Sequence, residues 1–303
     1  MAQINTGAIA RLLMPGLNTI FGGAYEALPK EYSMVFPKEM SDKNFEEDLN
    51  MHYFGMASVK NQGEALPYDV VGQGPTQYYT HVVYGLGYII TKEAITDNLY
   101  MQQAKEQTEA LAFSMDITKE TVAWNILNRA FNSSYTGFDG VSLCNSAHLL
   151  TAGGTYSNVP TTACDLSELA MEQAIYSIQG FTNDRGLLIK ANEDTLIIPR
   201  QLQHEAIRIL GGDERYNTAN RDINAMKRKG QFPGGIVMSH YLTNSKSWFI
   251  QTTVPKGLRH FQRWELELEN DTDFDTKNMQ FSATERYSFG WTDPRGIWGS
   301  AGV

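Results

Sequence analysis

The stretch EAITDNLYMQQAKEQTEALAFSMDITKETVAWNILNRAF, Glu93 to Phe131, decides how this chain is read. It lies between Gly87 and Gly137, an interval without internal Gly or Pro in which helix formers dominate. Ile95, Leu99, Leu111, Met115, Val122, Ile126 and Ala130 fall mostly on helical spacing, and Thr91 with Glu93-Ala94 opens the run. At about 1.5 Å of rise per residue such a helix is roughly 60 Å long. A compact globule of this chain length is about 50 Å across. The helix would therefore run the full length of the molecule, which predicts a flat or elongated subunit.

Toward the amino end the pattern breaks up. A short apolar helix is expected at Thr6 to Met14, stopped by Pro15-Gly16; Pro29 and Pro37 then interrupt a segment carrying Phe21, Tyr25, Tyr32 and Phe36. Residues 1 to about 45 read as an extended arm whose apolar anchors need a surface, its own chain's or a neighbour's. From Met51 to Ile90 short alternating runs are separated by Asn61-Gln62-Gly63 and Gly72-Gln73-Gly74-Pro75, and Tyr78 to Tyr84 has strand composition. This predicts a long β-hairpin that lacks a core of its own and projects to pair with something else.

Toward the carboxyl end, a Gly/Ser/Thr/Asn-rich stretch from Asn132 to Ala163 precedes a helix through Leu166, Leu169, Ala170, Ala174, Ile175 and Ile178, with Asp165 as candidate N-cap. A buried strand, Thr195 to Ile198, leads through Pro199 into a helix through Leu202, Ala206, Ile207 and Leu210, ended by Gly211-Gly212. The order implies a compact α+β unit within about 160 to 250, with the basic run Arg221 to Lys229 in a loop. Trp264, Leu266 and Leu268 then alternate with Glu265, Glu267 and Glu269, and Met279 to Trp291 keeps period two, with Asn270-Asp271-Thr272-Asp273 as the turn. These strands are expected to pack on the long helix, so that the first and last parts of the chain build one domain and the middle is inserted.

Composition narrows the function. The 303 residues are 42% hydrophobic and 11% aromatic, enough for a core, and 34 acidic against 25 basic residues give a net charge of -9. That excludes wholesale disorder and argues against a dedicated nucleic-acid binder. No stretch approaches the length of an apolar membrane span, and Met1 to Thr6 lacks the order of a signal peptide, so the chain is expected to stay in a cytoplasm. The two cysteines, Cys144 and Cys164, read as free thiols.

Motifs for chemistry are sparse. Metalloprotease and P-loop signatures are absent, and Gly72-Gln73-Gly74 and Gly85-Leu86-Gly87 read as turn glycines. The six histidines, His52, His81, His148, His204, His240 and His260, lack the paired spacing of a helical metal site. Cys144 lies four residues before His148, which raises a nucleophile–base reading beside the plainer one in which His148 ties down a loop. Glu46-Glu47-Asp48 and Asp271, Asp273, Asp275 could ligate a hard cation, yet the second lacks the Gly and distal Glu of a calcium loop and reads as a solvated turn. Arg221, Lys227, Arg228 and Lys229 suit an acidic neighbour better than nucleic acid. No catalytic, cofactor-binding or metal residue is assigned.

The order of parts resembles the major capsid protein of tailed bacteriophages, the Hong Kong 97-type fold. The likeness rests on Pro15 to Phe21, Gly63 to Asp69, Gly87 to Glu93 leading into Asp97-Asn98-Leu99-Tyr100, Leu143 to His148, Leu196 to Pro199 and Arg286 to Gly296, and is closest to the Mu-like head-subunit branch. The resemblance implies an α+β chain with an amino-terminal arm in 1–49 and an E-loop in 50–92. It places a peripheral domain with the spine helix in 93–159, an axial domain in 160–250 and the rest of the peripheral domain in 251–303. It further implies hexamers and pentamers in an icosahedral virion shell around non-specifically contacted double-stranded DNA, assembled in the host cytoplasm. Scaffolding, portal and decoration proteins are the implied partners; no membrane or cofactor is. Some members of this fold cross-link a Lys to an Asn with help from a Glu; Lys60 lies on the hairpin, but no partner residues match, so non-covalent assembly is expected. The long helical amino-terminal extension of some relatives is missing, which implies a separate scaffold or a processed chain. The rivals are an encapsulin-like compartment shell and a hydrolase centred on Cys144 and His148.

Overall fold

The computed structural model describes residues 6–52, 54–96, 100–150, 153–213 and 223–303. The chain opens on α1 (Thr6–Ala27) and passes through a 3-10 turn at Tyr32–Met34 into β1 (Lys38–Met40), β2 (Phe45–His52), β3 (Gly72–Thr80) and β4 (Val82–Ile90). Then come α2 (Lys92–Thr96), α3 (Tyr100–Asn128) and the short strands β5 (His148–Leu149) and β6 (Thr155–Tyr156). The middle holds α4 (Glu168–Gln179), β7 (Glu193–Pro199), α5 (Gln203–Gly211), α6 (Ala225–Lys229), β8 (Gly235–Ser239) and β9 (Trp248–Thr252). The chain closes with β10 (Leu258–Thr272), β11 (Met279–Trp291) and β12 (Ile297–Ser300).

Two four-stranded sheets organise these elements. The first runs β1-β10-β11-β4, with β1 parallel to β10 and the other pairs antiparallel. Leu111, Ala112 and Met115 of α3 pack there with Phe21 of α1 and Ala283 of β11. The second sheet runs β12-β9-β7-β8. In its inner strand β7 the run Leu196-Ile197-Ile198 is apolar throughout because both faces are covered: Leu196 and Ile198 join Met171, Ile178 and Ala206 in one core, while Ile197 joins Phe249, Trp124 and Leu127 in another. Early turns of α3 thus serve the first sheet and its last turns the second, so one helix joins both cores.

Several sequence expectations change in three dimensions. Pro15 does not end the first helix. Leu17 and Phe21, one turn apart, are both buried against α3 and the first sheet, and burying two such side chains, at about 1.5–3 kcal/mol each, offsets the hydrogen bond that proline removes. The segment read as an extended arm is therefore largely a helix docked on its own chain, and Tyr32, Val35 and Phe36 are buried in the second core. The long helix is α3, at 29 residues about 44 Å long; Asp97, Asn98 and Leu99 lie outside the described residues.

The strand read at Tyr78 to Tyr84 is divided at His81: β3 pairs with β2, whereas β4 pairs with β11. Gly72 to Pro75, read as a turn, opens β3, and Gly85 and Gly87 lie within β4. A Cβ on Gly87 would stand 2.6 Å from the Phe281 carbonyl oxygen, so that glycine serves close strand contact. The N-cap of α4 is Ser167, whose hydroxyl accepts the Ala170 N–H at 3.2 Å, and not Asp165. Ala225–Lys229 is a helix rather than a loop, capped by the Asn224 side chain and ended by Gly230 in the left-handed region. The last hairpin turns beyond Thr272, because β10 runs on to that residue. The final strand β12 pairs with β9 and so belongs to the second sheet.

Candidate assembly surface

The β2–β3 hairpin is fastened to the body at its root. Tyr79 is buried with its ring against Phe261, centroids 4.9 Å apart, and its hydroxyl lies 2.5 Å from Thr292 Oγ1. Thr292 Oγ1 donates in turn to Asp48 Oδ2 at 2.8 Å, and Lys256 Nζ donates to Asp48 Oδ1 at 2.5 Å. His81 bridges Ser41 Oγ (3.1 Å) and Ser288 Oγ (2.9 Å) at the point where the chain leaves one sheet for the other. Burial and then the Arg286 charge hold the His81 pKa below the usual imidazole range.

Beyond the root the hairpin loses cover. Every residue from 56 to 70 is exposed, including Met56 at 83%, Val59 at 90%, Tyr68 at 92% and Val70 at 76%. The expected turn at Asn61-Gln62-Gly63 forms, with Gly63 at φ +87. Asp69 tethers the base of the loop: it accepts the Gly55 N–H at 2.8 Å and Arg185 Nη1 at 2.9 Å, while Arg185 Nη2 donates to the Val70 carbonyl at 3.0 Å. The Gly55 N–H and its neighbours hold the Asp69 carboxyl below the usual range. A loop anchored by polar contacts but displaying bulky apolar side chains is built to be covered by something outside its own fold. A second uncovered strip lies on β4, an outermost strand of its sheet, where Val82, Val83, Leu86 and Ile89 stand about half exposed.

The chemistry-bearing candidates go elsewhere. The Cys144 thiol is buried in the core and burial pushes its pKa far up, which suppresses the thiolate a nucleophile needs. His148 is held between Asp139 Oδ2, 2.5 Å from Nδ1, and Asn158 Oδ1, 3.2 Å from Nε2, so both ring nitrogens are occupied. It fastens the 139–158 loop, as the plainer reading held. Asp48 serves the hairpin root, Glu46 accepts from Ser41 and Lys43, and Asp273 closes the β10–β11 turn through Thr276 Oγ1 at 2.6 Å. No cluster able to hold a metal ion occurs among the described residues. Lys227 reaches Asp213 at 2.8 Å and Lys229 reaches Glu193 at 4.0 Å within the same chain; Arg221 lies outside the described residues. Lys60 is exposed on the loop.

Sequence reading missed a buried polar system on α3. Lys119 pairs with Glu285 and donates to Gln262 Oε1 at 2.9 Å, while Gln262 Nε2 donates to Glu285 at 2.9 Å. The hydrophilic positions of α3 were its only sequence signal, and a charged residue on a helix ordinarily marks the solvent side.

The described architecture has relatives. The family described as phage capsid protein matches residues 74–300. The virus-like particle from Pyrococcus furiosus superposes with a TM-score of 0.57 at 11% identity, covering 94% of this chain and 97% of that one. The procapsid of bacteriophage JBD30 gives 0.53 at 12% identity, over 98% and 76% of the two chains, and the capsid of cyanophage P-SCSP1u gives 0.50 at 12%, over 86% and 84%. No curated protein matches. At these identities the likeness is one of fold, and that fold is the Hong Kong 97 type.

Proposed function

Because this chain belongs to the phage capsid protein family, we propose that it is the major head subunit, assembling as hexamers and pentamers into an icosahedral shell around packaged double-stranded DNA. The observation that carries this reading is the exposed loop 56–70, whose Met56, Val59, Leu66, Tyr68 and Val70 find no partner surface in their own chain. A neighbouring copy is the natural cover. In this reading 1–49 is the arm, 50–92 the E-loop, 93–159 with 251–303 the peripheral domain and 160–250 the axial domain, with β12 returned to the axial sheet. The likeness of the quoted segments from Pro15 to Gly296 supports assigning it to the Mu-like branch.

The partners proposed are a separate scaffolding protein, a portal, decoration proteins and DNA held without sequence preference; a net charge of -9 suits a container that must load and release its polyanion. Assembly is non-covalent and takes place in the host cytoplasm. Family membership favours a genome container over a cargo compartment, and the buried Cys144 argues against the hydrolase. Electron microscopy of the expressed chain tests the proposal. Closed particles that dissociate to single chains on denaturing gels support it. A stable monomer that never forms closed particles overturns it, and covalent ladders overturn its non-covalent part.

A further inference from the structure

The dipeptide Glu31-Tyr32 fixes the amino-terminal segment to the body at two points, and the preceding Lys30 folds back on the segment's own helix. Lys30 Nζ sits 3.5 Å over the Tyr25 ring. The Glu31 carboxylate takes the His240 backbone N–H at 3.0 Å and meets its Nδ1 at 2.5 Å. The Tyr32 N–H donates to Glu120 of α3, at 3.2 Å to Oε2, and its ring stands edge-on to His260 and Phe289.

The α3 side of this joint is unusual. Asp116 and Glu120, one helical turn apart, are 4% and 1% exposed. Both good hydrogen bonds to Glu120 fall on Oε2, from Tyr32 N–H and from Trp124 Nε1 at 2.8 Å, whereas Oε1 has only a 3.4 Å contact. Asp116 Oδ1 is buried without a hydrogen-bond partner, as is the Tyr25 hydroxyl that belongs to the docked segment. A carboxyl buried without donors costs far less neutral than ionised, so the site favours the protonated acid.

The charges that act on Glu120, those of Glu31 and Asp116, are of its own sign, and cations act on Asp116 alone of the pair. On α3, Lys119 is committed to Glu285 and Gln262. The segment itself presents Lys30, Glu31 and the phenols of Tyr25 and Tyr32; β10 presents His260 against Tyr32, β11 presents Glu285 and, toward Tyr25, Tyr287, and the loop after β8 presents His240 and Tyr241. Glu31 and Asp116 repel Glu120, Glu285 repels Asp116, and Lys30 and Lys119 are the cations that act on Asp116.

We propose that Asp116 and Glu120 form a proton-operated catch, which holds the amino-terminal segment on α3 while uncharged and loosens it when both carboxyls ionise. Ionisation leaves buried charge beneath Tyr25 and Tyr32, and lifting the segment lets water reach it. Burial raises the carboxyl pKa of Glu120 from 4.5 to about 7 and raises that of Asp116 in the same direction. A raised carboxyl stabilises docking fully below its free value, and that contribution is lost as pH rises through the docked value. The working window therefore runs from about pH 4.5 to about pH 7.

Hydrogen exchange on the full-length chain tests this, read as protection factors so that the intrinsic pH dependence of exchange is removed. Protection of residues 17–36 should fall at least about tenfold between pH 5 and pH 7, while β7 and β9 stay unchanged. Glu120→Gln should keep high protection at both pH values, and Asp116→Asn, a milder change, should reduce the fall. His240→Gln should leave the pH dependence intact. Unchanged wild-type protection overturns the proposal, as does a flat profile in His240→Gln with a wild-type fall in both α3 variants.

Discussion

The ring of Tyr79 occupies the space that a side chain on Gly290 would need: a Cβ there would stand 2.7 Å from Tyr79 Cε1. The contact joins β3 to β11 at the hairpin root. Gly290→Ala should therefore displace Tyr79, part its hydroxyl from Thr292 and cost about 1–3 kcal/mol by overpacking. Urea unfolding measures this; a loss below a few tenths would show that the root can shift freely.

The exposed loop should matter for association and not for folding. Val59→Asp combined with Tyr68→Asp changes side chains that are 90% and 92% exposed, so the melting transition of the unassembled chain should move by no more than about 0.5 kcal/mol. Particle yield in sizing and electron microscopy should collapse. Normal particles from this double variant would remove the loop from the assembly surface.

Lys119 and Glu285 form a buried ion pair, 3% and 1% exposed. Lys119→Met strands the Glu285 carboxylate and should cost about 3–5 kcal/mol. Removing the second charge with Glu285→Gln in the same chain should recover a large part of that loss. A double variant as unstable as the single one would point to packing rather than charge.

His260 and Glu120 should oppose each other in acid. Burial, followed by the Lys119 charge, pulls the His260 pKa from 6.5 down to about 3. The unfolded chain therefore takes up a proton that the fold refuses, and stability contributed above pH 6.5 is lost as pH falls toward 3. Glu120, raised to about 7, acts in the other direction. Between pH 4.5 and 6.5 the two slopes offset, at about 1.4 kcal/mol per pH unit each. Urea midpoints should show a steeper acid loss for Glu120→Gln than for the unchanged chain; parallel curves would refute the pairing.

Cys144 should resist alkylation in the folded chain and react only on unfolding, because its sulfur faces the core beside Gly299 and Phe249. Labelling with iodoacetamide, read by peptide mass, decides this. Rapid modification of the native chain would reopen the nucleophile reading.

What was legible in advance follows one physical rule. The long helix α3 within the expected 93–131, the apolar core of β7, the alternating β10 and β11 and the uncovered hairpin all announce themselves through which side chains avoid water, and periodicity records that locally. Misread positions are those where a distant partner overrode the local signal: Pro15 tolerated because Leu17 and Phe21 are buried, Gly87 placed in a strand against Phe281, and His81 at a change of sheet. Lys119, Asp116 and Glu120 were invisible for the same reason, since nothing near them in the chain distinguishes a buried charge from a solvated one.

The sequence by itself determined the long helix, the apolar core of β7 and the alternating strands β10 and β11, because hydrophobic period and backbone freedom are properties of neighbouring residues. Only the tertiary structure decided which apolar surfaces the chain covers for itself and which it leaves open. Leu17, Phe21 and Tyr32 find their cover on α3 and the two sheets, whereas Val59 and Tyr68 find none. That difference depends on residues a hundred positions apart meeting in space, and no local pattern encodes it.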